Sequence, residues 1–201
     1  MSIFKKIFGS ASETSNEENE NDFDSLRDSN SQFPVDEQFT HNFKKNGGKF
    51  LYCENIAELN EQFENILEEN DWFESEALCL ESKLFKMLEE NKISYQNTSK
   101  PSFLLTSCES LIADEGSIMF SSTQIKQNKP NELPDNIVLI AATSQIVANK
   151  SDGLREIKKR YTTNYPTNIT TVNYFDKAKE ENFLHYGSSA KSLYLLLLED
   201  L

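Results

Sequence analysis

The sequence predicts an α/β fold in which an open sheet carries helices on both faces, and three features support this. Helix-period and strand-like segments alternate along most of the chain, the order that builds strand–helix–strand units. Residues 137–141 read Ile-Val-Leu-Ile-Ala, a near-continuous apolar run of the kind found in strands covered on both faces. A second apolar run, residues 193–198, follows near the end and is strand-sized.

The elements follow in order. Residues 36–46 predict a helix with Phe39 and Phe43 four apart, stopped by Asn46-Gly47-Gly48. Residues 49–53 predict a strand. Asn55 is placed to cap a helix whose apolar residues Ile56, Leu59, Phe63, Ile66 and Leu67 repeat with a 3.6-residue period. Residues 77–80 predict a short buried strand, and Leu84, Phe85 and Leu88 mark another helix. Residues 103–105 predict a strand that leads into a polar turn, and the next strand starts at residues 116–120. Residues 121–135, with Pro130 and Pro134, read as a polar loop before the apolar strand at 137–141. A basic-faced helix is predicted over 153–161, a weak strand over 169–172, a partly helical segment over 174–185, and the last core strand over 193–198.

Residues 1–34 have a different composition. From Ser10 to Gln32 the chain is rich in Ser, Asn, Glu and Asp and nearly empty of aliphatics. Such a segment cannot bury enough apolar surface to offset its ordering entropy, so a disordered tail is expected. Ahead of it, Ile3, Phe4, Ile7 and Phe8 fall on one helical stripe beside Lys5 and Lys6, a short amphipathic start that could dock on a surface or fray. Residues 35–201 are expected to form one domain, large enough to bury a sizeable core.

The 33 acidic side chains outnumber the 20 Lys and Arg, for a net charge of −13. That balance argues against nucleic acid and against a general anionic membrane surface, both of which need a basic face. No basic stretch followed by an apolar one opens the chain, and no apolar run nears the ~18 residues of a membrane span. A soluble cytoplasmic protein with no transmembrane segment is the expectation. Cys53, Cys79 and Cys108 are scattered and His41 and His185 are the only histidines. That is too few ligands for a cluster or a dedicated zinc site in this chain, and buried thiols are expected instead.

The most informative stretch is Leu104-Leu105-Thr106-Ser107-Cys108-Glu109-Ser110-Leu111-Ile112-Ala113-Asp114-Glu115-Gly116-Ser117. Its pattern resembles the signature of the lactate-utilisation C, or LUD domain, family, with Thr106, Glu109, Ile112, Ala113, Asp114, Gly116 and Ser117 matching in identity or type. Two further pieces fall in the right order: residues 134–140 with Ser144-Gln145-Ile146-Val147, and the turn Gly187-Ser188-Ser189-Ala190-Lys191 before the last apolar run. Asn136 stands where the family has His, and Ser189-Ala190-Lys191 where it has Gly-Pro-Arg. The resemblance spans residues 36–201. It implies a fold like that of the sugar-phosphate isomerase and CoA-transferase superfamily. It also implies a role in a multi-subunit system oxidising lactate, in which iron–sulfur clusters belong to partner subunits and this chain holds no cofactor.

The residues themselves suggest a site. Thr106, Ser107, Glu109, Asp114 and Glu115 lie in turns beside predicted strands, and in open α/β sheets such turns at strand carboxyl ends form the ligand crevice. Gly116 permits close backbone approach. Gly187, Ser188 and Ser189, with Lys191 nearby, offer amides, hydroxyls and a charge for an anion. The expectation is one pocket for a small carboxylate or phosphate, with Glu109 and Glu115 as candidate catalytic carboxylates. The structural alternative is a pair of turns satisfying their own backbones. On function, the reading is a cluster-free subunit or small-anion-binding module. Its rivals are an enzyme of the isomerase and CoA-transferase kind using a carboxylate, and a pure interaction protein.

Overall fold

The computed structural model describes residues 33–96, 98–173, 175 and 191–200. By internal contacts the chain separates into Met1–Pro34 and Val35–Leu201. The expected acidic tail with its amphipathic start, and most of the helical segment expected over 174–185, lie outside the described residues.

The described elements are α1 (Val35–Lys45), β1 (Lys49–Cys53), α2 (Ile56–Glu69), β2 (Ala77–Leu78), α3 (Phe85–Glu90), β3 (Phe103–Thr106), β4 (Ser110–Ile112), β5 (Ser117–Phe120), α4 (Ser122–Ile125), β6 (Asn136–Ala142), β7 (Ile146–Val147), α5 (Lys150–Arg160), β8 (Thr170–Val172) and β9 (Ser192–Leu198). Phe39 and Phe43 are fully buried and stack 5.5 Å apart on α1. That helix ends at Gly47, whose φ of 88° lets its amide and that of Gly48 close back onto the carbonyls of Lys44 and Phe43. Asn55 caps α2, its side chain accepting from the Glu58 amide, and Leu59, Phe63, Ile66 and Leu67 are the buried stripe.

Five strands form a parallel sheet in the order β1-β9-β6-β3-β2. The two apolar runs lie side by side as β6 and β9, from Asn136 against Ser192 to Ala142 against Leu198. On one face of this sheet, Phe103, Leu105, Val138, Tyr194 and Leu196 join the stripe of α2, Trp72 and Leu84 and Leu88 in a single core. Trp72 stacks on Phe103 with ring centroids 4.7 Å apart.

The α/β class is as predicted, and the open parallel sheet is joined by a second one. A second sheet of four strands, in the order β7-β4-β5-β8, mixes antiparallel and parallel pairs. Its members β4, β7 and β8 have two or three residues each, too short to show an alternating pattern. The polar turn expected after β3 therefore contains a strand, and the hairpin β4–β5 turns at residues 113–116. The loop expected over 121–135 holds α4, announced by the Ser121–Gln124 capping box. α5 starts three residues before the expected helix, because Asn149 caps it by accepting from the Asp152 amide.

All strands of the large sheet run the same way, so their carboxyl ends share one edge. Glu54, Cys79–Glu81, Ser107–Glu109, Thr143–Gln145 and Glu199–Asp200 leave the sheet there.

Candidate functional site

Glu81 anchors the polar group on this edge. It follows β2 by three residues, and its side chain is 6% exposed. Oε1 accepts from the Thr106 hydroxyl at 2.9 Å and the Ser107 amide at 2.7 Å. Oε2 accepts from the Ser107 hydroxyl at 2.6 Å and lies 3.1 Å from Lys83 Nζ. Burial by itself would raise the proton affinity of this carboxyl. The Ser107 hydroxyl and amide, with Lys83 behind them, outweigh burial and hold Glu81 below the usual carboxylate range. Lys83 Nζ also donates to Ser107 Oγ at 2.8 Å, and its side chain is 62% exposed. The result is an ionised carboxylate, a serine and an accessible ammonium, held at the end of β3.

A second polar group of the same type stands beyond β6 and β9. Asp200 accepts from Thr143 Oγ1 at 2.8 Å, the Ser144 amide at 2.9 Å and Ser144 Oγ at 2.6 Å. Burial opposes ionisation here as well, and the bonds from Ser144 and Thr143 overcome it, leaving Asp200 below its usual range. Gln145 ties the segment after β6 to the segment after β3. Its amide nitrogen donates to the Cys108 carbonyl at 2.7 Å, while its oxygen accepts from the Ala142 amide at 2.8 Å.

The structure disperses the residues expected to form one pocket. Thr106 and Ser107 belong to the edge group. Glu109 is completely buried and saturated: Oε1 accepts from Ser121 Oγ at 2.7 Å, Gln124 Nε2 at 3.1 Å and the Tyr161 hydroxyl at 3.1 Å, and Oε2 pairs with Arg160 Nη1 at 2.8 Å. These bonds tie α4 and the end of α5 to the hairpin, a clasp with no face open to a substrate. Asp114, Glu115 and Gly116 form the hairpin turn under α1. Asn42 donates to the carbonyls of Ala113 and Asp114, and Asn46 to those of Glu115 and Gly116. Glu115 pairs with Lys150 at 2.8 Å. Burial and the neighbouring Glu115 both push Asp114 upward. A Cβ on Gly116 would meet the α1 backbone at 2.4 Å, so the close approach this glycine permits is that of a helix.

Lys191 lies at the other end of the sheet. It precedes β9, whereas Thr106 closes β3, and the strands are parallel. Its amino group is buried, donates to the Leu133 carbonyl at 2.8 Å and lies 3.5 Å from Asp135. Lys191 is thus at the opposite end of the sheet from Thr106, Ser107 and Glu109. Gly187, Ser188 and Ser189 lie outside the described residues. Reading by residue type missed Glu81, Lys83, Thr143 and Asp200; each follows a strand at its carboxyl end, and that position was the available signal.

The cysteines stand apart on three strand ends, all buried. Burial pushes Cys53 up to about 12 and Cys79 up to about 11, and Cys108 well above the usual thiol range. Among the described residues no group of three or more His, Cys, Asp and Glu is placed to hold a metal, and no helix is long and apolar enough to cross a membrane.

Comparison with known proteins agrees with this architecture. The sequence model of the LUD domain matches residues 37–191. A crystal structure of a DUF162-family protein from Deinococcus radiodurans superposes with a TM-score of 0.52 at 15% identity, over 83% of this chain and 96% of that one. No curated protein matches in sequence.

Proposed function

The chain belongs to the LUD domain family, and from that premise we propose that it is the cluster-free, small-anion-binding subunit of a cytoplasmic system that oxidises lactate or a related organic acid. The observation that carries the proposal is the Lys83–Ser107–Glu81 group on the carboxyl edge of the parallel sheet. Lys83 can direct a charged donor at a small carboxylate or phosphate, while Glu81 and Thr106 fix the serine beside it. The redox centres come from partner subunits carrying iron–sulfur clusters. In support, the three cysteines here sit singly on separate strand ends with strongly raised proton affinity.

Carboxylate catalysis is the weaker reading. Glu109 has its oxygens occupied by four donors, and the lowered proton affinity of Glu81 makes it a poor base for Ser107. Calorimetric titration with L-lactate tests the binding role. A charge-assisted hydrogen bond contributes ~1.5–3 kcal/mol, so Lys83→Met should weaken binding by about one order of magnitude or more. Unchanged affinity in Lys83→Met, or no binding to the unaltered chain, would contradict the proposed site.

A further inference from the structure

Resting on the binding role just proposed, we infer that the edge site selects singly charged 2-hydroxy acids carrying an aliphatic chain longer than that of lactate.

Hydrogen-bond valence sets the first preference. An ammonium has three N–H donors. Two of those on Lys83 face Ser107 Oγ and Glu81 Oε2, at 2.8 and 3.1 Å, which leaves the third for a carboxylate. A serine hydroxyl has one donor and two acceptor positions. Ser107 gives its proton to Glu81 and accepts from Lys83, so what it retains is an acceptor. Beside Lys83 it can therefore take a ligand hydroxyl as donor, whereas a keto oxygen, itself an acceptor, finds no donor on Ser107 and must compete with the carboxylate for the third N–H of Lys83. A 2-hydroxy carboxylate places its hydroxyl and one carboxylate oxygen close enough to meet Ser107 and Lys83 together.

Charge sets the second. Lys83 shares this edge with Glu54, Glu81, Glu199 and Asp200, and both Glu81 and Asp200 are held below their usual range. A doubly charged phosphate meets more repulsion here than a monoanion does.

Apolar surface sets the third. The polar group borders the core that holds Cys79, Leu84 and Leu105, and Ile140 and Leu198 of the same core are only partly covered. Both lie near the carboxyl ends of β6 and β9, which run three residues past the last pair of β3, Thr106 against Leu139. That is a rise of roughly 10 Å at the usual strand repeat, along which an aliphatic chain can lie.

The test is a titration series on the full chain with lactate, 2-hydroxy-4-methylpentanoate, 4-methyl-2-oxopentanoate and inorganic phosphate. The expected order places 2-hydroxy-4-methylpentanoate first, about tenfold or more above lactate and likewise above its 2-oxo counterpart, with phosphate weakest. Ile140→Thr should weaken 2-hydroxy-4-methylpentanoate more than lactate and so remove most of the chain-length advantage. Equal affinity across the acids, all weakened about tenfold or more in Lys83→Met, would overturn the selectivity and leave the anion site standing. Absence of binding by every compound would overturn the site and the selectivity together. Because the order is read on the unaltered chain, it stands even if Ile140→Thr fails to fold.

Discussion

Glu81 accepts from Thr106, from the amide and hydroxyl of Ser107, and from Lys83, which fills the roughly four acceptor positions of a carboxylate. Glu81→Gln keeps the volume, but turns one acceptor oxygen into a donor that faces other donors. The expected loss of stability is ~1–3 kcal/mol at neutral pH. Its pH dependence has a definite sign. The folded-state proton affinity of Glu81 is lowered, so its ionisation stabilises the fold above the unfolded-state pKa of about 4.3, and that contribution is lost as pH falls through the folded-state value. Urea unfolding of both proteins should show a constant gap from pH 7 to about pH 5 that narrows toward pH 3. A gap that stays the same width in acid would mean the carboxylate charge contributes nothing. Glu109 was the more conspicuous residue in the sequence, as the acid in a family-like signature. Burial explains why its role was not legible there: the four donors that saturate it come from α4 and the end of α5, elements remote in sequence.

At the scale of elements, the hairpin β4–β5 is held under α1 by contacts that need a glycine. Gly116 has a φ of 61°, and a side chain there would collide with the backbone of Asn42 and Phe43. Gly116→Ala should therefore destabilise by ~2 kcal/mol or more, from left-handed strain plus displacement of the helix, and the thermal midpoint should fall by several degrees. A midpoint equal to that of the unaltered chain would show that α1 can shift away at no cost. The long elements were legible for physical reasons. α2 shows its buried stripe at helical period with its Asn55 cap, and β6 and β9 show continuous apolar runs because parallel strands are covered on both faces. The strands of the second sheet were not, because two or three residues carry no period. The early start of α5 was readable from Asn149 and Asp152, and the existence of α4 from Ser121 and Gln124, since both rest on local capping.

For the whole molecule, topology decides which residues meet. The large sheet is parallel throughout, so groups that follow β2, β3, β6 and β9 gather on one edge, and a group that precedes β9, such as Lys191, is carried to the other. The sequence placed Thr106, Ser107 and Lys191 near strands, but strand order and direction come from pairings across 30 residues and more, which no local pattern encodes. That is why Lys191 was expected in the site and Lys83 was not. The same topology makes the central claim testable in one experiment on the intact chain. Backbone amide resonances of isotope-labelled protein are followed during titration with 2-hydroxy-4-methylpentanoate. Saturable shifts are predicted at Lys83, Ser107, Ile140 and Gln145, with none at Lys191, Leu133 or Asp135, and in Lys83→Met the same shifts should need about tenfold or more ligand. Shifts centred on Lys191 and the 133–135 loop, or shifts that saturate at the same ligand concentration in Lys83→Met as in the unaltered chain, would contradict the account.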